Sequence, residues 1–374
     1  MSPDETKRPL RTALYECHLA AGGKMVPFAG WEMPVHYSSI LEEHRAVRER
    51  AGLFDVSHMG EFVFRGERRE AEVDRITTAR ISDREPGEVQ YALLLNDRGG
   101  IVDDILVYKM PDSVILVVNA ANREKDLAWV KGKCGGGVTV EDGSARTSQI
   151  AVQGPRSREI LAKITGADAT GLPYYRALWT EVLGVHALVS RTGYTGELGF
   201  EIYMPWDEGP KIWDALLEAG ADEGLVPIGL GARDSLRLEM RYCLYGNDIG
   251  EDTSPVEAGL GWTVRKKDGD FVGREAYLAA KANGAARKIV GFRLGPRDIP
   301  RPGYPVIHEG REAGTVTSGG FSPTLERGIA LAYVDAAVSN EKEGFSIRIR
   351  NREAAAVRVA GSFVPSSVKD EGEE

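Results

Sequence analysis

The stretch QYALLLNDRGGIVDDILVYKM, Gln90 to Met110, sets two apolar runs on either side of a turn made of Asn96, Asp97, Arg98, Gly99 and Gly100. Asn-Asp and Gly-Gly are ordinary hairpin punctuation, so a β-hairpin is predicted here. The second run is broken by two adjacent carboxylates, Asp103 and Asp104. Neighbouring side chains of an extended strand point to opposite faces. Asp103 is therefore expected to face one way with Ile101 and Ile105, and Asp104 the other way with Val102 and Leu106. An anion in a covered cavity is costly unless a cation or hydrogen-bond donor meets it. Two readings stay open at this point: a hairpin with a polar edge, or a carboxylate held in place for chemistry.

The rest of the chain bounds the choice. Its 374 residues exceed one comfortable core, and two or three domains are expected. Apolar content of 42% and charged content of 28% are those of a globular protein rather than a disordered one. A formal net charge of −9 argues against nucleic acid or an anionic membrane as partner, while leaving room for a local basic pocket. The three cysteines have no C-x-x-C spacing and the six histidines include no i,i+4 pair, so no metal is expected. The first ten residues, MSPDETKRPL, carry no apolar signal core, and no run is long enough to span a bilayer; a cytoplasmic protein is expected.

Working outward from the hairpin, residues 52–145 alternate strands with helices and read as a compact α+β unit. Before it, KMVPFAGWEMPVHY (Lys24 to Tyr37) is dense in aromatics and not periodic, either a packed connector or the wall of a pocket. Residues 38–51 read as a helix with a serine cap, stopped by Gly52. Asp55, Ser57 and His58 invite comparison with a catalytic triad, but they sit within four residues of one extended stretch and no G-x-S-x-G turn is present. In RTGYTGELG (Arg191 to Gly199) the glycines form either a simple hairpin or a rigid loop that presents Glu197 to two N–H donors of a ligand. Arg233 and Arg237, four apart on a predicted helix, form either an ion-pair ladder with Asp234 and Glu239 or a clamp for a carboxylate. Beyond Gly284 many short strands predict a small all-β barrel or sandwich, and KDEGEE ends the chain as an acidic tail.

Eight segments, FAGWEMPVHY, FDVSHMGE, NDRGGIVDDILVYK, VVNAANREKDLAW, AVQGP, SRTGYTGELGFEIY, GLGARDSLRLEMRYCLYGNDI and TSGGFSPTL, stand in one order. Together they resemble the aminomethyltransferase (T-protein) family of the glycine cleavage system. The resemblance implies an α+β, three-domain, cloverleaf-like fold around a folate channel. In that arrangement residues 1–51 plus 146–284 form a discontinuous folate-binding domain, and 52–145 an inserted domain carrying the catalytic Asp. A jelly-roll-like β-barrel domain would follow at 285–368, and an acidic tail at 369–374. It also implies transfer of the methylene carbon from aminomethyl-dihydrolipoyl H-protein to tetrahydrofolate. The products would be 5,10-methylenetetrahydrofolate, ammonia and dihydrolipoyl H-protein, with no metal and a monomeric enzyme.

Asp103 matches the family's essential Asp and is expected to act as a preorganised anion beside the folate nitrogens. Glu197 matches the residue holding the pterin ring, and Arg233 the one meeting the glutamate tail. Tyr91, Tyr194, Met59, Asn119, Phe28 and Trp31 match positions lining the channel. The chain departs from the family after FVP, where Val368 stands in place of a ring. A tetrahydrofolate-dependent demethylase and a non-catalytic folate-binding protein are the alternatives; the presence of Asp103, Glu197 and Arg233 together disfavours the non-catalytic one.

Overall fold

The hairpin forms as its sequence predicts: strand Val89–Leu95 pairs antiparallel with strand Ile101–Lys109. Gly99 takes the positive φ (79°) that the turn requires, and the Asn96 side-chain oxygen accepts the N–H groups of Arg98 and Gly100, both at 3.0 Å. One feature breaks the expected alternation. Leu94 pairs with Asp103 but Leu95 pairs with Ile101, so Val102 is an extra residue, a β-bulge. Val102 therefore joins Ile105 and Val107 in the core of the inserted unit rather than the face of Asp104, and Ile101 packs on the other side with Ile249, Phe271 and Tyr277.

The computed structural model describes residues 8–264 and 269–369, so the expected acidic tail beyond Lys369 lies outside the described residues. The hairpin belongs to a five-stranded sheet in the order Val89–Leu95, Ile101–Lys109, Val114–Val118, Gly60–Arg65, Thr139–Asp142. Helices Arg69–Ile76 and Arg123–Lys133 flank it, with Val73, Ile76 and Val130 in its core. A six-stranded sheet runs Ala177–Val182, Val185–Ser190, Gly199–Pro205, Thr147–Gln153, Ala51–Asp55, Leu225–Pro227, the last pair parallel. The strand Ala51–Asp55, placed by sequence in the inserted unit, pairs with Thr147–Gln153 instead. Its five residues are all buried, so it shows no alternation to assign it to one sheet or the other. A Cβ on Gly52 would come within 2.4 Å of Ile228.

Tyr108, Ile115 and Val117 of the smaller sheet pack on Ala177, Leu188 and Tyr203 of the larger one. The third unit is a closed barrel of six strands, Arg287–Arg293, Arg327–Asp335, Arg311–Ser322, Pro305–His308, Phe345–Ile349 and Arg352–Val359. The α+β class and C-terminal barrel expected from sequence are present. The expected β-barrel closes into a single ring, because Arg287–Arg293 pairs with both Arg327–Asp335 and Arg352–Val359 and leaves no free edge.

Helix Leu230–Glu239 joins barrel to sheet through buried charge. Glu239 is fully buried and accepts hydrogen bonds from Arg48 (2.9 Å), Thr324 Oγ1 (2.9 Å) and Ser322 Oγ (2.5 Å), with His44 at 3.2 Å. Burial alone would raise its carboxyl, but His44, Arg48 and Ser322 outweigh that and hold it down to about 2. A depressed carboxyl contributes stability above its unfolded pKa and loses it as pH falls through the folded value. Glu239→Gln should therefore cost on the order of 3 kcal/mol near neutrality, with the gap to the parent closing between about pH 4.5 and pH 2. Urea-unfolding midpoints of both proteins across that range check it; a gap that does not change with pH counts against the assignment.

Candidate functional site

The three units enclose a cavity of about 1230 Å³, larger than the roughly 300–1,000 Å³ of an ordinary small-molecule pocket. One wall is the bulged strand. Asp104 faces the cavity, accepting from Tyr91 Oη at 3.1 Å and from Asn119 Nδ2 at 2.9 Å. The Tyr91 ring lies stacked on Trp262, 5.5 Å between centroids and 19° from parallel. Burial, and then the negative charge of Asp103, push the Asp104 carboxyl well above the usual carboxylate range; Tyr91 and Asn119 pull it back only in part.

Asp103 is not on that wall. It is fully buried behind it, and its oxygens accept the Asn119 backbone N–H (3.0 Å), Asn119 Nδ2 (2.9 Å) and Asn122 Nδ2 (2.6 Å). Alternation is the reason: Asp103 shares the helix side with Ile105 and Val107 and Asp104 takes the cavity side, while the bulge adds Val102 to the helix side and turns Ile101 away from Asp103. The Asn119 amide touches both carboxylates and also donates to the Asp104 carbonyl at 3.1 Å.

A second wall comes from the large sheet and the helix Leu230–Glu239. Arg233 lines the cavity with its guanidinium 5.0 Å from the Tyr194 ring centroid. Among the described residues no hydrogen bond or carboxylate within 4.0 Å meets that guanidinium, although Arg237 one turn on has four partners: Asp234, Asp248, Ser318 and the Tyr242 carbonyl. The ion-pair reading holds for Arg237 and not for Arg233. Burial pulls the Arg233 pKa down, against the attraction of Tyr194 and Glu201.

Glu201 is the carboxyl this wall presents. It accepts from Gln149 Nε2 at 3.3 Å and from Thr192 Oγ1, and burial raises it above its ordinary value. Glu197, expected to hold a ligand, does not line the cavity; it is pinned at 2.7 Å by Arg48, which also takes the Thr195 carbonyl. His58 lines the cavity edge-on to Phe28, 5.7 Å between centroids, with Nδ1 unpartnered. Burial and the charge of Arg233 lower His58 to about 4, so it is neutral at physiological pH.

Phe28 and Met59 line the cavity as expected, whereas Trp31 turns into the core, 6.5 Å from Trp206. Phe28 and Trp31 are cross-strand partners in one hairpin, and only the first reaches the opening. Asp55 pairs at 2.9 Å with His18, not with His58, and the triad-like spacing has no catalytic geometry. The C-terminal segment reaches the mouth through its backbone: the Ser367 N–H donates to the Gly196 carbonyl at 2.8 Å and Arg191 to the Val368 carbonyl at 2.9 Å. Neither bond needs a ring at position 368, and Lys369 lines the cavity beyond it.

Known proteins carry the same architecture. Residues 14–268 match the family described as GCVT N-terminal domain, and 287–365 that described as Glycine cleavage T-protein C-terminal barrel domain. The chain is 47% identical over 343 residues to the aminomethyltransferase of Halothermothrix orenii, covering 91% of this chain and 96% of that protein. It is 50% identical over 347 residues to the aminomethyltransferase of Moorella thermoacetica, covering 91% and 94%. The crystal structure of glycine cleavage system aminomethyltransferase T from Bartonella henselae superposes with a TM-score of 0.89 at 33% identity, covering 96% of this chain and 99% of that one. The chain belongs to the glycine cleavage T-protein family.

Within this T-protein framework two cavity carboxyls, Asp104 and Glu201, differ from those sequence reading singled out. The signal for Glu201 lies in GFEIYMP, a strand whose only charged residue sits two positions past the Gly-rich loop. The isolated Arg233 carries its own test. A half-buried charge with no carboxylate beside it is destabilising, so Arg233→Met should raise the melting temperature while weakening folate binding roughly 10–100-fold. Thermal melts and calorimetric titration with tetrahydrofolate check both arms; a variant that is less stable and binds normally would contradict the placement.

Proposed function

We propose that this cavity holds tetrahydrofolate with its pterin ring between Arg233 and Glu201, and brings its reactive nitrogens to Asp104. The chain is an aminomethyltransferase of glycine cleavage, passing a one-carbon unit from an aminomethyl group to tetrahydrofolate. The observation that carries the placement is the half-buried Arg233, whose guanidinium meets the Tyr194 ring but no acceptor or carboxylate among the described residues, near a carboxyl raised by burial. A pterin has a carbonyl for Arg233, which has no acceptor among the described residues, and an N–H edge for the remaining lone pairs of Glu201. Tyr194, stacked 5.7 Å from Tyr242, supplies a flat neighbour for such a ring. Arg233 is thus assigned to the ring rather than to the glutamate tail, which Arg241 and Lys369 on the cavity wall suit better.

The second substrate is the aminomethyl-loaded dihydrolipoyl arm of H-protein, reaching Asp104 from the mouth. The carbon lies between a sulfur and a nitrogen. Because its pKa is raised, Asp104 can hold a proton near neutrality and give it to the departing amine as the C–N bond breaks. The carbon, now bonded to sulfur alone and cationic, is attacked by a folate amine whose proton returns to Asp104. The second folate nitrogen then displaces the sulfur, and its proton ends on the thiol. One ammonia, one free thiol and one methylene bridge result, and Asp104 finishes as it began. Tyr91 and Asn119 fix the carboxyl in place throughout.

Asp104→Asn keeps the shape and removes the transferable proton. It should lower turnover roughly 100-fold or more while tetrahydrofolate affinity stays within about threefold. In the parent, the rate of ammonia release should fall as pH rises through the raised Asp104 pKa, and that limb should be absent in the variant. Normal turnover in Asp104→Asn would remove the residue from the reaction. The pterin assignment is tested by a contrast: Glu201→Gln should weaken tetrahydrofolate about tenfold or more, and Glu197→Gln hardly at all. The reverse order would return Glu197 to the site.

A further inference from the structure

Behind Asp103 lies a third carboxyl, Asp126, that the reaction does not touch. It sits on helix Arg123–Lys133, four residues after Asn122 and on the same face. Asn122 donates to Asp103 at 2.6 Å, and Asp126 lies close enough to the same carboxyl for the charge of Asp103 to act on it. Asp126 is fully buried, and neither of its oxygens meets an N–H or hydroxyl donor among the described residues. Two neighbouring carboxyls removed from water do not both ionise, so one of the pair holds a proton. Asp103 already accepts three N–H groups, which suits a carboxylate, whereas Asp126 has none.

We propose that Asp126 is a positioning residue: a permanently protonated acid whose O–H donates to Asp103, keeping Asp103 a fixed anion that in turn keeps Asp104 loaded with its proton.

The surroundings agree. The groups that face Asp126 are Asp103 and Asp104 on the bulged strand, Lys125 on its own helix and Tyr245 on the loop packed across it. Lys125, the one cation among them, is engaged elsewhere, donating to the Val102 carbonyl at 2.6 Å and to Tyr245 Oη at 2.8 Å, with Glu251 at 3.6 Å. Burial, then the charge of Asp103, raise the Asp126 carboxyl far above its ordinary value despite Lys125. Asp103 is then held by four donors, three from asparagine groups and one from an acid.

This inference rests on the reading of Asp104 as the proton-bearing group, and two readouts separate them. The first is spectroscopic and independent of turnover. In an Asp104→Asn background, adding Asp126→Asn should remove the infrared carbonyl band of a protonated carboxylic acid at neutral pH. Persistence of every such band would show Asp126 ionised and overturn the proposal, whatever Asp104 does.

The second readout is the pH profile of ammonia release in the otherwise intact enzyme with H-protein and tetrahydrofolate. Asp126→Asn keeps a donor toward Asp103 and should leave the alkaline limb within about 0.3 pH unit and the rate within about threefold. Asp126→Leu removes the donor, lets Asp103 take up a proton, relieves the repulsion on Asp104, and should move the limb acidward by about one unit or more. An acidward shift of that size already in Asp126→Asn would mean that a negative charge had been removed, and the proposal fails. An unmoved limb in a folded Asp126→Leu enzyme fails it as well. If Asp126→Leu does not fold, the asparagine variant and the infrared band still decide. If Asp104→Asn turns over normally, the proposed function falls while the infrared result stands or falls alone.

Discussion

Everything in this molecule turns on keeping two adjacent carboxyls in different electrical states. Asp103 and Asp104 are consecutive residues of one strand, the first fully buried and the second half-buried against the cavity, and two bare anions at that separation would repel each other. Strand alternation solves half the problem by turning them to opposite faces. Donor supply solves the rest. Asp103 receives two asparagine side chains and a backbone N–H, while Asp104 receives a phenol and a share of one amide. The better-supplied carboxyl is the better anion, and its charge raises its neighbour. Asn119 is the hinge of the arrangement because its single amide contacts both.

The opposite wall uses the contrary device. Arg233 and Arg237 occupy one helix, one turn apart, and are chemically identical. Arg237 is spent on architecture, tying the helix to Asp248 and to the barrel residue Ser318, so that the third unit stays docked. Arg233 is left without a protein partner, and so stores interaction energy for a ligand at the expense of the empty fold. The difference is one of surroundings rather than of residue type. Glu197 and Glu201 repeat the lesson in the acidic sense, one saturated by Arg48 and the other turned to the cavity.

That contrast marks what the sequence made legible. Hairpin punctuation, caps and the run of short strands past Gly284 are local signals, and they placed the hairpin, the helix at Ile40–Glu49 with its Ser39 cap, and the barrel. Family resemblance located the right segments. Individual roles depended on long-range pairing that local pattern does not carry. Arg48 and Glu197 are separated by 149 residues, and their ion pair is invisible along the chain. The strand GFEIYMP is buried almost throughout, so nothing in its alternation announced that Glu201 faces a cavity. A one-residue bulge exchanged the faces of Val102 and Ile101, so the apolar neighbours predicted for each aspartate were the wrong ones. Trp31 and Phe28 could not be told apart because the tight hairpin puts them side by side.

The barrel, remote from the reacting carboxyls in sequence, is tied to the cavity through the same charged helix. Glu239 closes helix Leu230–Glu239, holds Arg48, and Arg48 in turn holds Glu197 and the carbonyl of Thr195 in the Gly-rich loop. The Gly196 carbonyl of that loop takes the Ser367 N–H at the chain's end. Loss of any link would loosen the loop that carries Tyr194, and with it the surface beside Arg233. Barrel strand, helix, loop and C-terminal segment thus form one chain of buried or half-buried contacts, each closing an ion pair or backbone bond that the next depends on. A third unit that contributes little to the cavity wall is still required, because it supplies Ser322 and Thr324 to the Glu239 hub from which that chain of contacts begins.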